Sequence, residues 1–406
     1  MHLRTYGKLY GGGGKLTIQI KILKKAQQWL GFFYAGINWK DKLVVHFTMQ
    51  STQFLLYGAN GYTGQLIAKL SATYDLHPIL AGRNKKAIQQ LADELQLPYR
   101  VIDLDNTDQL QTTLKEVSLV LHAAGPFQLT AKQMIEACIA TNTHYIDITG
   151  EIPVFEMAKR YNDAAIQSGI MLMPGAGFDV VPTDCMALFL KNKLPDADSL
   201  QLAFASVGGG LSHGTATTMV MGLGESGAVR ENGKIIKKPL GHNGMWIDFS
   251  KLTGKQKRVF VMTIPWGDVS TAHFTTGIPN IETYTGVSPK IYYFLKLQRA
   301  FNWLLKTSLI RRYANKKINK NPAGPTDEAR AKSSSLVWGK VKNQQGEMIQ
   351  AAMKVKDGYT LTAHSSLLIV QKILAGNFKS GYQTPAAVYG EDLILEIPDT
   401  KRTHAY

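Results

Sequence analysis

Three glycines stand at three-residue intervals in Gly58-Ala59-Asn60-Gly61-Tyr62-Thr63-Gly64, between the apolar run Phe54-Leu55-Leu56-Tyr57 and the amphipathic stretch Gln65-Leu66-Ile67-Ala68-Lys69-Leu70. A strand that turns sharply into a helix needs residues without a Cβ wherever backbone must approach backbone. The exposed amide N–H groups and the positive end of the helix then favour an anion. This spacing, placed between a strand and a helix, is a variant of the turn that holds the pyrophosphate of a dinucleotide, and residues 58–64 are read as cofactor-binding.

A second signal decides which dinucleotide. The strand at 78–81 runs into Ala81-Gly82-Arg83-Asn84-Lys85-Lys86, roughly 20 residues past the turn, where an acid usually meets a free ribose 2'-hydroxyl. No acid is present, and the planar fork of Arg83 suits a 2'-phosphate, with Asn84, Lys85 or Lys86 in support, so NADP(H) is favoured over NAD(H). Asp103 closes the third strand and reads either as an acceptor for the adenine amino group or as a cap of the next helix. The fourth strand ends in His122-Ala123-Ala124-Gly125-Pro126-Phe127. Ala124, Gly125 and Pro126 let backbone lie near the cofactor ribose and nicotinamide, while Phe127 either lines the ring pocket or belongs to the core.

Hydride transfer needs a proton donor or polarising group near the nicotinamide. Asp179, between Gly175-Ala176-Gly177 and Pro182, stands at the carboxyl edge of the sheet, where ligands bind in such folds. It reads as a helix cap or as a proton donor. His213, in Gly208-Gly209-Gly210-Leu211-Ser212-His213-Gly214-Thr215, reads as a substrate contact or as part of a plain turn. No His, Cys or Glu spacing suggests a metal, and no Gly-x-Ser-x-Gly elbow occurs.

The elements that must position these groups follow from alternation. Short apolar runs at 54–57, 78–81, 99–103, 119–123, 145–148 and 170–173 alternate with helical segments at 63–73, 85–94, 108–116, 131–141 and 153–168. This predicts an α/β fold, a Rossmann-type doubly wound parallel sheet, with a second α+β domain in which 200–207, 258–264, 335–341 and 348–355 alternate like antiparallel strands. The expected organisation is an extension over 1–48, the dinucleotide domain over 49–185, the α+β substrate domain over 186–358, and a helix at 360–374 and strand at 393–397 that return to the first domain.

Of the net charge of +16, residues 1–48 hold eight Lys or Arg against Asp41, which leaves +9 for the rest. That balance suits an anionic cofactor, and no basic stripe interleaved with aromatics points to nucleic acid. Two cysteines inside apolar runs argue for a reducing, cytoplasmic setting. The best N-terminal apolar window, 29–47, is interrupted by Asn38, Lys40, Asp41 and Lys42, short of the roughly 20 apolar residues of a spanning helix. Residues 1–48 read as a poorly ordered extension ahead of a translation start at Met49, with an amphipathic piece over 20–34 as the rival reading. Aromatic and basic residues mix over 291–312, a helix packed on the second domain or a lid that touches a lipid-like substrate or anionic membrane.

Taken together, Gly58 to Gly64, Ala81-Gly82-Arg83, Ala124-Gly125-Pro126-Phe127, Tyr145-Ile146-Asp147-Ile148-Thr149-Gly150-Glu151 and Gly175-Ala176-Gly177-Phe178-Asp179-Val180-Val181-Pro182 resemble the saccharopine dehydrogenase-like oxidoreductases. That group includes trans-acting enoyl reductases. Pro265-Trp266-Gly267-Asp268, Gly324-Pro325 leading to Arg330, and Gly358-Tyr359 look like its bacterial branch. The resemblance implies a Rossmann domain interrupted or followed by an α+β domain, with NADP(H) as cofactor; the leading function class is an NADPH-dependent reductase acting on a C=C, C=O or C=N bond of a small-molecule substrate. The rival class is an NADP-binding scaffold without turnover.

Overall fold

The computed structural model describes residues 53–406, other than 209, 223, 299–301, 306, 319 and 321, together with the short strands Leu16–Thr17 and His46–Phe47. Contacts divide the chain into Met1–Thr52 and Gln53–Tyr406. In the first unit the two short strands pair antiparallel, with Leu16 opposite Phe47. The remainder of the extension expected over 1–48, including the amphipathic piece over 20–34, lies outside the described residues.

In the second unit a seven-stranded sheet forms from β1 (Phe54–Tyr57), β2 (Ile79–Gly82), β3 (Tyr99–Val101), β4 (Leu119–His122), β5 (His144–Asp147), β6 (Met171–Met173) and the late strand Gly381–Tyr382. The spatial order is β3-β2-β1-β4-β5-β6 followed by Gly381–Tyr382, and every pairing is parallel. All four residues of β1 are buried, as a parallel strand covered on both faces requires. Their side chains alternate: Leu55 and Tyr57 pack with α3 (Thr107–Leu114), α4 (Phe127–Thr141) and α5 (Ile152–Lys159). Phe54 and Leu56 face the opposite layer, made of α1 (Tyr62–Leu70), α2 (Lys85–Leu95), α6 (Val181–Lys193) and the C-terminal helix Gly358–Leu374.

That opposite layer is shared. α6 and the C-terminal helix pack in one core with Leu200 and Leu202, Val337 and Val341, and Ala351 and Met353 of a second, nine-stranded sheet. Ten buried residues of the C-terminal helix, from Leu361 to Ile373, lie on nearly every side of it, as expected for a helix enclosed between two sheets. The second sheet contains β7 (Ser199–Val207), β8 (Gly227–Glu231), β9 (Lys234–Lys238), β10 (Gly244–Asp248), β11 (Arg258–Thr263), β12 (Asn280–Gly286), β13 (Ser334–Lys342) and β14 (Met348–Lys356), with Lys401–Arg402 at its edge. It is mixed, because β12 runs parallel to β7 while the other pairs are antiparallel. The segment 393–397, expected as a strand, instead forms the 3-10 turn Leu393–Glu396, and Gly381–Tyr382 is the strand that joins the first sheet.

Among the described residues, no helix is long and apolar enough to cross a membrane.

Buried polar bonds tie the C-terminal segment to the core. Asp184, fully buried on α6, accepts from Thr275 Oγ1 at 2.5 Å and from the Ala386 amide at 2.8 Å. Asp184→Ala should strand the Ala386 amide, while the Thr275 hydroxyl keeps Thr384 and Thr271 as partners, and lower the unfolding free energy by about 2 kcal/mol. Urea denaturation checks this; Asp184→Asn, which keeps an acceptor, should lose less.

Candidate active site

At Gly58 the backbone takes φ +84°, and a Cβ there would lie 2.7 Å from the Ala124 nitrogen and 2.8 Å from the Ala123 carbonyl carbon. A side chain at Gly64 would strike the Gly58 oxygen and come within 2.8 Å of the Ala59 Cα. The Gly58 and Ala59 amides both donate to the Ala81 oxygen, at 2.8 and 3.1 Å, and the Gly61 amide to the Gly58 oxygen at 3.0 Å. Gly61 is the N-cap of α1 and supplies no side-chain acceptor, so the first-turn amides of Tyr62, Thr63 and Gly64 are not capped by the chain itself. A cradle that a Cβ would fill, closed by an uncapped helix end, fits a dinucleotide diphosphate. Asn60 packs its side chain against Gly82, where a Cβ would meet its Oδ1 at 2.8 Å, which holds the two binding loops together.

Arg83 follows β2 directly, exposed, and no carboxylate pairs with it among the described residues. Its charge is felt by Tyr57, whose phenol burial nevertheless pushes up to about 12. Asn84 is the N-cap of α2, its Oδ1 accepting from the Ala87 amide at 3.1 Å, so its first task is local. Asp103 is exposed and turns back on the Asp105 amide at 3.2 Å, while Asn106 caps α3. The helix-cap reading of Asp103 is therefore replaced by a turn contact, which leaves its other oxygen facing solvent.

After β4 the chain passes through Ala124, Gly125 and Pro126 into α4. Phe127 is 9% exposed, sits in the core and packs its ring edge-on to His122 at 5.4 Å. Of the two readings of Phe127, the structure takes the core. His122 is fully buried, bonds Thr130 Oγ1 at 2.9 Å, and burial lowers its imidazole to about 3, so it stays neutral. Glu151 reaches across from the end of β5 and accepts from the Phe127 and Gln128 amides at 3.0 and 2.9 Å, capping α4 from outside.

Carboxyl groups gather along the same edge. Asp147 accepts from the Tyr145 hydroxyl at 2.6 Å and from the Thr149 and Gly175 amides, each at 2.9 Å, and burial pushes it up to about 7. Asp179 differs: Val180, not Asp179, is the N-cap of α6, and no side chain caps that helix. The Asp179 carboxyl lies against Gly150, where a Cβ would be 2.5 Å from its Oδ2. It is partly exposed, and desolvation together with the Glu151 charge pushes it up to about 7. Asp268, the first residue of helix Asp268–Thr276, is wholly buried beside the Thr183 hydroxyl, and burial raises it well above the carboxylate range. Gly267 next to it packs on Phe155 and faces the Gly150 oxygen, and Trp266 stacks with Phe204, which meets Phe178 edge-on. The second sheet therefore contributes Trp266 to Asp268 to the edge that carries Asp179.

A further group converges on the glycine turn. The Tyr62 hydroxyl donates to the Pro325 oxygen at 2.5 Å and accepts from Arg330 Nη1 at 2.7 Å, and its ring meets Tyr359 edge-on at 5.1 Å. Tyr359 in turn accepts from the Ser212 amide at 2.6 Å. His213 begins helix His213–Met221, with its amide on the Ala323 oxygen at 2.9 Å. His213 is thus the first residue of that helix, beside the segment 323–330.

Residues 54–173 match the family described as the saccharopine dehydrogenase NADP binding domain. This part of the chain is such a domain. The saccharopine dehydrogenase-like oxidoreductase of Rattus norvegicus is 26% identical over 204 residues, 44% of this chain and 48% of that protein. A Mycobacterium tuberculosis protein provisionally named trans-acting enoyl reductase is 28% identical over 190 residues, 43% of this chain and 44% of its own length. The chain spans about half the length of the curated relatives it matches. Among solved structures, apo saccharopine dehydrogenase (L-Glu forming) from Saccharomyces cerevisiae aligns with a TM-score of 0.59 at 12% identity, covering 86% of this chain and 99% of that one, a likeness of fold alone.

The residues to which sequence reasoning gave no role of their own are the Tyr62 side chain, inside this domain, and Asp268, Arg330 and Tyr359, outside it, because their roles depend on contacts made across the chain. Arg83→Ala should raise the Kd of NADPH at least tenfold, on the order of one lost charge-assisted bond, and change that of NADH much less. Fluorescence titration with both coenzymes checks it; equal losses would reject the role of Arg83.

Proposed function

We propose that the chain is an NADPH-dependent oxidoreductase of the cytoplasm that reduces a C=C, C=O or C=N bond, with Asp179 as the proton donor. The observation that carries this reading is the Asp179 carboxyl: unpaired, partly exposed, raised to about 7, and set at the carboxyl edge of the NADP-binding sheet. When bound, NADPH supplies the hydride. Residues 58–64 would hold the diphosphate and Arg83 the 2'-phosphate, and the loop 124–126, which leads into the α4 start capped by Glu151, would lie near the nicotinamide. Asp179 keeps its proton near neutrality because water is partly excluded and Glu151 repels its anion. It then delivers that proton to the atom left negative by hydride addition.

A lipid-like acceptor is supported by the surface around the second sheet. In the region 291–312 the described helices are Pro289–Gln298, Asn302–Leu305 and Ser308–Ile318. Tyr292 packs inward on Phe260, whereas Ile291, Tyr293 and Phe294 are 52%, 64% and 67% exposed beside Lys290 and Lys296. Of the shared face expected there, Phe301 and the Leu309 side chain lie outside the described residues. Apolar side chains flanked by lysines suit the acyl–headgroup boundary.

Asp179→Asn should lower kcat by a factor of about 100 or more while leaving NADPH affinity intact. Because the proton is present below about 7 and lost above it, reduction by the wild type should fall as pH rises through that value. Stopped-flow NADPH oxidation against acyl enones, imines and oxo acids checks both. Tight NADPH binding with no turnover on any of them would assign the chain to the scaffold class, and acyl substrates no better than short ones would remove the lipid reading.

A further inference from the structure

Arg330 is held over the dinucleotide turn by a residue of that turn. Its Nη1 donates to the Tyr62 hydroxyl at 2.7 Å and to the Pro325 oxygen at 3.2 Å, and Tyr62 is the first residue of α1, whose first-turn amides would face a bound diphosphate. Gly324 permits the approach: a Cβ there would lie 2.6 Å from the Tyr62 ring. The guanidinium side chain is only 12% exposed, yet its sole carboxylate partner among the described residues, Asp327, is 93% exposed and largely screened by water. Its buried Nε has no partner among the described residues. A nearly enclosed cation with an unused donor and a solvated counter-ion is costly unless an anion completes it. The helix end beside it offers only about half a positive charge to a diphosphate.

We propose that Arg330 is a diphosphate-binding residue, contributed by the second-sheet segment to the NADP site, and that its guanidinium charge, with Nη2 exchanging the solvated Asp327 for a phosphate oxygen, meets the cofactor when the diphosphate docks on α1. This rests on the NADP reading of the turn and adds a residue to it. The Tyr62 hydroxyl pre-places the cation, so little side-chain freedom is lost on binding. Segment 323–330 already lies on the turn through the Tyr62–Pro325 and Tyr62–Arg330 bonds, so the cofactor adds to contacts that are in place, beside the segment of His213.

Calorimetry of Arg330→Gln with NADP+ and with adenosine 2'-monophosphate, which lacks a diphosphate, separates the possibilities. The expected result is a Kd for NADP+ raised roughly tenfold or more, with 2'-monophosphate binding unchanged. Arg330→Lys should recover part of the loss, and gives the same contrast if the Gln variant does not fold. Equal weakening of both ligands marks a purely structural role and overturns the proposal, as does an unchanged NADP+ affinity. Absence of heat from the wild type with NADP+ would instead remove the cofactor reading itself, and this proposal with it.

Discussion

Backbone contact at the start of α1 governs the rest of the molecule. The Gly58 Cα lies so near Ala123 and Ala124, and Gly64 so near Gly58 and Ala59, that neither site has room for a single added carbon. That closeness lets β1 bond to both neighbours and still turn at once into a helix whose first amides are left for a ligand. It also fixes what lies beyond: α1 packs on the C-terminal helix Gly358–Leu374, which is enclosed between the two sheets. A wider turn would shift α1 and break that shared layer.

Charge is separated along the site. The anion end collects the α1 terminus, Arg83 and Arg330, whereas the far edge collects Glu151, Asp179 and Asp268. The same physics acts with opposite result at the two ends. Arginines keep their charge even when largely enclosed, while carboxyls deprived of water hold their protons, as Asp147 and Asp179 do near 7. The proposed reduction would draw on both ends, cations for the phosphates and a protonated carboxyl for the substrate.

Much of the fold was legible because its signals are local. The strands of the parallel sheet announce themselves as short apolar runs, and the glycine turn by the absence of side chains. Where the sequence reading differs, a competing local or long-range term prevailed. Asn84 spends its carbonyl on the α2 amide, a capping role that its place before Lys85 could have suggested. The hairpin β8–β9 was missed although Asn232-Gly233, both at positive φ, is a strong two-residue turn signal. The parallel pairing of β12 with β7 had no such signal, since alternation along one strand says nothing of its neighbour's direction.

By itself the sequence determined the dinucleotide turn, the preference for a 2'-phosphate and the parallel sheet, because each rests on side chains or missing side chains within a few residues of one another. Only the tertiary structure decided that Arg330 reaches Tyr62 across 268 residues, that Asp179 caps no helix, and that Phe127 belongs to the core. Those outcomes depend on which surfaces meet when two sheets close on a shared helical layer. Burial, and with it the protonation of a carboxyl, is a property of that meeting.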